Sequence, residues 1–182
     1  PYEANLADLT ASGVAFEDVE DLLNGIKPRK KLFLLDTCES GELEEDVYTQ
    51  YYTLADARGF KPRTSRKPST ARGETQKKTH GYLREKDRFI YNDLARRSGA
   101  VVFSSSRGDE ISYESSAIKN GFFSRAIINA LTNRAADKDS NGKVSIDELK
   151  AYVSEAVSKD TKGLQNPTID RDNLSQKIEL PI

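Results

Sequence analysis

Apolar residues recur along this chain at two spacings, and each spacing predicts a different element. In 16–26 they stand three or four positions apart, which predicts a helix with one buried face. In 31–36 they are consecutive, which is typical of a buried strand. The same patterns predict strands over 100–104 and 177–180, helices over 85–97, 121–133 and 146–158, and a helix or partly ordered arm over 43–54.

The alternation of strands and helices predicts an α/β fold built on a sheet. Segment 31–36 is predicted to be a central strand, because charged residues precede its apolar run and an acidic turn containing Gly41 follows it. Sheets of this class bind ligands at the carboxyl ends of their strands. A functional site is therefore expected immediately after Leu35.

The only cysteine of the chain, Cys38, follows this strand. Most free cysteines are small buried hydrophobes, and that interpretation stays open here. The neighbours Asp36, Glu39 and Ser40 are polar, however, so the thiol has left the apolar run and is expected to face a cleft. A thiol in that position is a candidate nucleophile.

Composition limits the class of protein. The 182 residues include 28 basic and 29 acidic side chains, with 36% apolar and 31% charged residues, as expected for a globular domain with one core. No apolar run approaches the roughly 20 residues of a membrane span, so no membrane partner is expected. A single cysteine excludes an internal disulfide framework and predicts a cytoplasmic location.

Residues 61–80 form a strongly basic segment. They hold seven lysines and arginines against one acid, Glu74, which gives a local charge of +6. Because the segment also contains Pro, Gly, Ser and Thr without apolar periodicity, it is predicted to be a mobile loop. It is either a solvated linker or an electrostatic patch. Nucleic acid is disfavoured as a partner, because aromatic residues do not alternate with the basic ones.

Residues 137–148 match the twelve-residue calcium loop of an EF-hand. Gly142 permits the sharp turn of such a loop. Alternatively, Ser145 and Glu148 form only a capping box for the next helix, among ordinary turn-forming residues. We expect a structural calcium ion and no organic cofactor. The expected ligands are the side chains of Asp137, Asp139, Asn141 and Glu148, the carbonyl of Lys143, and Ser145 directly or through water.

Segment 34–41, Leu-Leu-Asp-Thr-Cys-Glu-Ser-Gly, resembles the nucleophile segment of caspase-like cysteine peptidases of the bacterial and metacaspase type. In that family an Asp stands two residues before the Cys, and Ser-Gly follows it. Further segments occur in the order of the bacterial family, so the resemblance covers nearly the whole chain. They are 101–106, 108–110 with Tyr113-Glu114, 120–123 and 165–167.

The resemblance implies a caspase-like (caspase-hemoglobinase) sheet flanked by helices. It divides the domain into a large-subunit-like part, 1–60, the basic loop, 61–80, and a small-subunit-like part, 81–182. It also implies a cysteine endopeptidase that hydrolyses peptide bonds through a Cys-His dyad, with Cys38 as the nucleophile. Asp36 would select Arg or Lys before the scissile bond by charge pairing.

If Asp36 selects basic residues, the basic loop is a substrate of its own enzyme. Proteins and peptides with basic residues are then the expected partners, and self-processing is expected within the loop. The candidate cleavage residues are Arg63, Arg66, Lys67, Arg72, Lys77 and Lys78.

The chain departs from the family pattern at the catalytic base. The family's His stands in a His-Gly pair upstream of the Cys, whereas the only histidine here, His80, lies downstream in the basic loop. We therefore interpret the chain as the carboxyl-terminal part of a longer peptidase domain, with an upstream His-bearing segment or chain as its partner. Two rival functions stay open: a catalytically inactive caspase-like regulatory module, and a calcium-responsive binding domain.

Overall fold

The computed structural model describes residues 9–28, 30–37, 45–63, 98–107, 110–169 and 177–182. This part of the chain contains five helices and eight short strands. The helices are α1 (Leu9–Ser12), α2 (Phe16–Gly25), α3 (Glu45–Asp56), α4 (Phe122–Thr132) and α5 (Ile146–Asp160). The strands are β1 (Lys31–Leu35), β2 (Lys61–Pro62), β3 (Ala100–Ser104), β4 (Tyr113–Ser115), β5 (Asn120–Gly121), β6 (Lys143–Ser145), β7 (Thr168–Ile169) and β8 (Glu179–Pro181).

Three small sheets organise these strands. The first has the order β1-β3-β7, with β1 and β3 parallel in the register that places Leu35 opposite Ser104. The second has the order β2-β4-β5 and is antiparallel, and the third pairs β6 with β8. A parallel pair of strands with helices around it is the α/β arrangement that the sequence predicts.

The core lies between β3 and the helices α4 and α5. Every residue of β3 is buried, and Phe103 meets Phe123 of α4 edge to face, with 5.1 Å between ring centroids. Helix α5 contributes Leu149 and Val153, both fully buried. Each such side chain adds about 1.5–3 kcal/mol of hydrophobic stabilisation, so this packing holds the end of β3 in a fixed place.

The prediction of a buried first strand needs correction, whereas its central place in the sheet stays a prediction. Strand β1 is only half-buried, and Leu34 is 40% exposed. The reason is its place in the sheet: among the described residues β1 pairs only with β3, whereas β3 has a partner on each side. In the described part of the chain, the buried central strand is β3.

The predicted long elements are confirmed, with ends that differ by no more than two residues. Segment 43–54, for which a helix was one of two expectations, contains α3. The helix predicted over 85–97 lies outside the described residues. Lys61 and Pro62, predicted to start a loop, form β2 instead. Strands of two or three residues carry no period, so the sequence does not reveal them.

None of the helices in the described ranges has the length and apolar character that a membrane span requires. The cytoplasmic location stays a prediction.

Candidate active site

The parallel pairing of β1 with β3 brings the ends of both strands to one edge of the sheet. The amide of Ser105 donates to the carbonyl of Leu35 at 2.8 Å, which continues the pairing by one residue. Asp36 and Thr37 therefore emerge beside Ser105. This is the edge at which the sequence predicts a site. Cys38, the next residue, lies outside the described part of the chain.

A cluster of buried serines holds the backbone just before Cys38. The carbonyl of Thr37 accepts hydrogen bonds from the hydroxyls of Ser105, at 3.0 Å, and Ser112, at 3.2 Å. The two hydroxyls lie 2.5 Å apart, and both residues are fully buried. A hydrogen bond of this kind contributes about 1 kcal/mol. The peptide that leads to Cys38 is thus anchored to two separate segments.

The side chain of Gln165 links those two segments. Its side-chain carbonyl accepts from the amide of Tyr113 at 2.9 Å, and its side-chain amide donates to the carbonyl of Ser105 at 2.9 Å. Gln165 is fully buried, so loss of either bond would leave an unpaired polar group in the core. The sequence marks Gln165 only as part of the caspase-like resemblance and shows no role for it.

A second polar contact fixes the segment between β3 and β4. The carboxylate of Glu110 accepts from the backbone amide of Asn166 at 2.6 Å and from its side-chain amide at 2.7 Å. Burial raises the pKa of Glu110 above its ordinary value, and the hydrogen bonds from Asn166 oppose that rise. Together with Gln165, this contact ties residues 165–166 to the segment that supplies Ser112.

Asp36 forms the charged centre of the site. Its Oδ2 atom lies 2.6 Å from Nη1 of Arg63 and accepts a hydrogen bond from the hydroxyl of Ser124 at 2.5 Å. The side chain is 17% exposed. Its Oδ1 atom is buried and has no hydrogen-bond partner among the described residues.

The first turn of α4 supports the charge of Asp36. No acidic residue stands in that turn, and the N-cap residue, Gly121, makes no side-chain cap. Because the amino end of a helix carries a partial positive charge, a carboxylate beside it is stabilised. Ser124 supplies the hydroxyl donor from the same turn. Asp36 therefore takes the place that an acidic residue of α4 would otherwise fill.

Gly121 leaves the space in which Arg63 meets Asp36. A Cβ atom at this position would lie 2.7 Å from Nη1 of Arg63 and 3.1 Å from Oδ2 of Asp36. Gly121 has a φ of −70°, which any residue adopts, so only the space requires glycine. Glu114 completes the surroundings, with its Oε2 atom 3.7 Å from Nε of Arg63.

The structure thus brings two of the residues predicted for the peptidase site together, Asp36 and Arg63. Sequence reasoning missed Gly121, Ser124 and Glu114 as neighbours of Asp36, because they come from distant segments that no local pattern connects. The other predicted site residues of this region lie outside the described ranges; they are Cys38, Arg66, Lys67, Arg72, Lys77 and Lys78.

The predicted calcium ligands lie in a separate place, in the loop before α5. Carboxylate oxygens of Asp137, Asp139 and Glu148 lie within 4.8 Å of one another. Ligands of one calcium ion stand up to about 5 Å apart, so these three carboxylates fit a shared cation. Lys143 and Ser145 lie in β6, which pairs with β8 and anchors the end of the loop.

The four side chains expected as ligands already accept hydrogen bonds within the loop, those of Asp137 and Asp139 among them. The side-chain oxygen of Asn141 accepts from the amide of Lys143 at 2.8 Å. Glu148 forms the capping box with Ser145, whose amide and hydroxyl donate to Oε2 at 2.9 and 2.7 Å. These bonds to Ser145 lower the pKa of Glu148. The capping box is therefore present, and calcium would have to share Glu148 with it.

Comparison with known proteins agrees with the geometry. The chain matches the family model of the caspase domain over residues 8–179. This match covers nearly the whole chain, which therefore belongs to the caspase family and, at the level of that family, is a cysteine peptidase with an α/β fold. No curated protein and no solved structure matches the chain significantly. The predicted resemblance to the caspase family is thereby confirmed, and the bacterial or metacaspase type stays a prediction.

Proposed function

We propose that the chain carries the nucleophile and the specificity pocket of a cysteine endopeptidase that cuts after Arg or Lys. One observation carries this proposal: Asp36, two residues before the only cysteine, binds a guanidinium group at the carboxyl end of a parallel strand. In that place a carboxylate selects the basic residue, and the cysteine attacks the peptide bond next to it.

The chemistry follows from the properties of a thiol. A free thiol has a pKa near 8.5, so a paired base has to raise the fraction of thiolate at neutral pH. The thiolate of Cys38 attacks the carbonyl carbon, the peptide C–N bond breaks, and the amine leaves with a proton from the base. Water then hydrolyses the thioester and restores the thiol. The serine cluster at Thr37 supports this role, since a nucleophile has to be held accurately.

The pocket favours a cation for a physical reason. Asp36 is largely desolvated, and its charge is supported by Ser124 and the amino end of α4. An ion pair in such surroundings is stronger than one in water. An acidic substrate residue would place a second carboxylate beside Asp36, so cleavage after Asp is disfavoured.

The base is proposed to come from an upstream His-bearing segment or chain. His80, the only histidine of the sequence, lies in the basic segment. Strand β1 has one edge without a partner among the described residues, and Leu34 is 40% exposed on it. A further strand pairing with β1 would place a residue at its carboxyl end next to Cys38.

The test uses the full-length protein with a thiol-reactive peptide that ends in Arg. We expect the peptide to label Cys38, and Cys38→Ala to abolish both labelling and turnover. A peptide that ends in Asp is the matched control and is expected to label far more slowly. Turnover that survives Cys38→Ala would refute the proposal. A full-length protein inert toward all peptides would favour the inactive regulatory module.

Self-processing is proposed within residues 61–80. Six basic residues there suit the Asp36 pocket: Arg63, Arg66, Lys67, Arg72, Lys77 and Lys78. The test is to incubate the full-length enzyme and map the new termini. Termini after these residues that disappear in Cys38→Ala support processing, and the two pieces should stay associated. An intact segment in an active enzyme would reduce it to a linker.

A calcium site in loop 137–148 is a second proposal. The convergence of three carboxylates supports it, and the separation from Asp36 along the chain favours a structural role. When bound, the ion would tie the loop to the start of α5 through Glu148. A calcium-responsive binding domain would additionally require that the ion change a partner surface.

A further inference from the structure

The Asp36 pocket already contains a basic side chain of the same chain. Strand β2 pairs antiparallel with β4, with Lys61 opposite Glu114 and Pro62 opposite Tyr113. The amide of Arg63 donates to the carbonyl of Ser112 at 2.8 Å and extends this pairing. Extended peptides bind to the edge of a sheet in the same way, with main-chain pairing for affinity and pockets for alternate side chains.

We propose that residues 61–63 are a substrate-like segment seated in the peptide-binding groove of their own chain, with Arg63 filling the pocket of Asp36. The inference rests on the proposed selection of basic residues by Asp36. It adds that the pocket is closed to other substrates until this segment leaves. Strand β4 is then the edge on which an incoming peptide pairs.

The side chain of Arg63 is bound in a way that permits exchange. It reaches Asp36 at Oδ2, while Oδ1 is buried without a partner among the described residues. A carboxylate binds a guanidinium most strongly when both oxygens are used. A guanidinium group that is free to align would therefore have an acceptor that Arg63 does not use. The side chain of Arg63 is also 34% exposed, so solvent reaches the ion pair and a competing cation can approach Asp36 there.

The backbone of the segment pairs with β4 at alternate residues. The amide of Arg63 donates to the carbonyl of Ser112, so positions 61 and 63 face hydrogen-bonded pairs of the antiparallel ladder and position 62 faces a non-hydrogen-bonded one. Pro62, which has no amide hydrogen, therefore stands where the ladder requires none. The amide of Tyr113 points away from β2 and donates to Gln165, which holds β4 independently of β2.

The pairing also assigns a second acidic determinant. Residues 61 and 63 point to the same face of an extended segment, because side chains alternate along a strand. Glu114 is the register partner of Lys61, and its Oε2 atom lies 3.7 Å from Nε of Arg63, so it adds negative charge to this face of the groove. An external peptide with basic residues at these two positions would match the groove best.

The test measures the binding of agmatine to the full chain by calorimetry. Agmatine is arginine without its carboxyl group and keeps the guanidinium. Removal of the internal guanidinium in Arg63→Gln is expected to tighten binding about tenfold or more over wild type. Lys27→Gln removes one positive charge at an exposed position ahead of β1, outside this segment, and is expected to bind as wild type. Asp36→Asn in the Arg63→Gln background is expected to lose the tight binding.

The outcomes separate this inference from the function on which it rests. Equal binding to wild type and Arg63→Gln, with loss in Asp36→Asn, would make Arg63 a structural ion pair and overturn the inference alone. If agmatine binding does not depend on Asp36, the inference and the proposed specificity are both overturned. If Arg63→Gln fails to fold, Arg63→Lys is compared with wild type. The lysine ammonium lacks the planar fork of a guanidinium and should bind Asp36 more weakly, so this variant should also bind agmatine more tightly than wild type. No difference there would overturn the inference.

Discussion

The Asp36 pocket and the acidic loop 137–148 both gather carboxylates, but they are built in opposite ways. Every ligand predicted for the loop comes from twelve consecutive residues. The pocket instead joins Asp36 to Ser124, 88 positions away, and to Arg63 from a third segment. A local motif can be predicted from its spacing in the sequence. A pocket assembled from distant segments exists only once the sheet has formed.

The two regions also balance their negative charge differently. Asp36 has a cation, Arg63, and one helix end beside it. In the loop the balance comes from backbone amides: Asp137 accepts from the amides of Asn141 at 3.0 Å and Gly142 at 3.1 Å. The pocket therefore depends on a charge that can be exchanged, and the loop on amides that cannot leave. This difference predicts distinct responses to the same type of substitution.

The largest effect is expected from Asp36→Asn. Removing one partner of a desolvated charge pair costs about 3 kcal/mol, so kcat/KM for an Arg substrate of the full-length enzyme should fall roughly a hundredfold. Asp139→Asn makes the same chemical change in the loop and should leave kcat/KM unchanged. Equal losses in the two variants, or faster hydrolysis after Asp than after Arg, would contradict the assignment.

The next effect concerns space in the pocket. Gly121→Ala places a methyl group 2.7 Å from Nη1 of Arg63 and should force the guanidinium away from Asp36. Because Nη1 ends a flexible side chain, the guanidinium gives way, and the cost is the lost ion pair with the largely buried Asp36. We expect the free energy of unfolding, measured in urea, to drop by about 2 kcal/mol. Gly25→Ala is the control, because a Cβ there meets nothing within 4 Å. A Gly121→Ala protein as stable as Gly25→Ala would show that Arg63 is not tightly placed.

Calcium is expected to act on the loop and not on the pocket. At ten times its Kd, calcium should stabilise the protein by about 1.4 kcal/mol and raise the Tm by roughly 4 °C. Glu148→Gln should abolish the shift, since Gln still suits a capping box but lacks the charge. Glu155→Gln, an exposed site on the same helix, should keep it. Equal shifts in all three proteins would leave the capping box as the only role of Glu148.

The smallest effect is a pH dependence of the calcium-free loop. The pKa of Glu148 is lowered by its hydrogen bonds with Ser145, so the charged carboxylate stabilises the fold above its ordinary pKa of 4.5. That contribution is lost as the pH falls through the lowered value. The difference in Tm between wild type and Glu148→Gln should be constant near neutral pH and shrink in acid. A difference that stays constant in acid would exclude this linkage.

The long elements were accessible to sequence reasoning because their patterns are local. The helical spacing in 16–26 predicts α2, and the apolar run in 100–104 predicts β3, with bounds close to those observed. The capping box of Ser145 and Glu148 is confirmed for the same reason. Strand β2 was out of reach, since Lys61 and Pro62 are polar or strand-breaking residues that pair only because β4 lies beside them.

By itself, the sequence determined the caspase family of the chain, the position of Cys38 after a strand, the acidic residue at position 36 and the capping box that ends loop 137–148. These depend on residue type, on local spacing and, for the family, on the order of segments along the chain. Only the tertiary structure decided that Asp36 meets Arg63 in the space left by Gly121 and accepts a hydrogen bond from Ser124 of α4. The physical reason is that ion pairs and steric fit act over a few ångströms, and only the packed sheet brings residues so distant in sequence within that range.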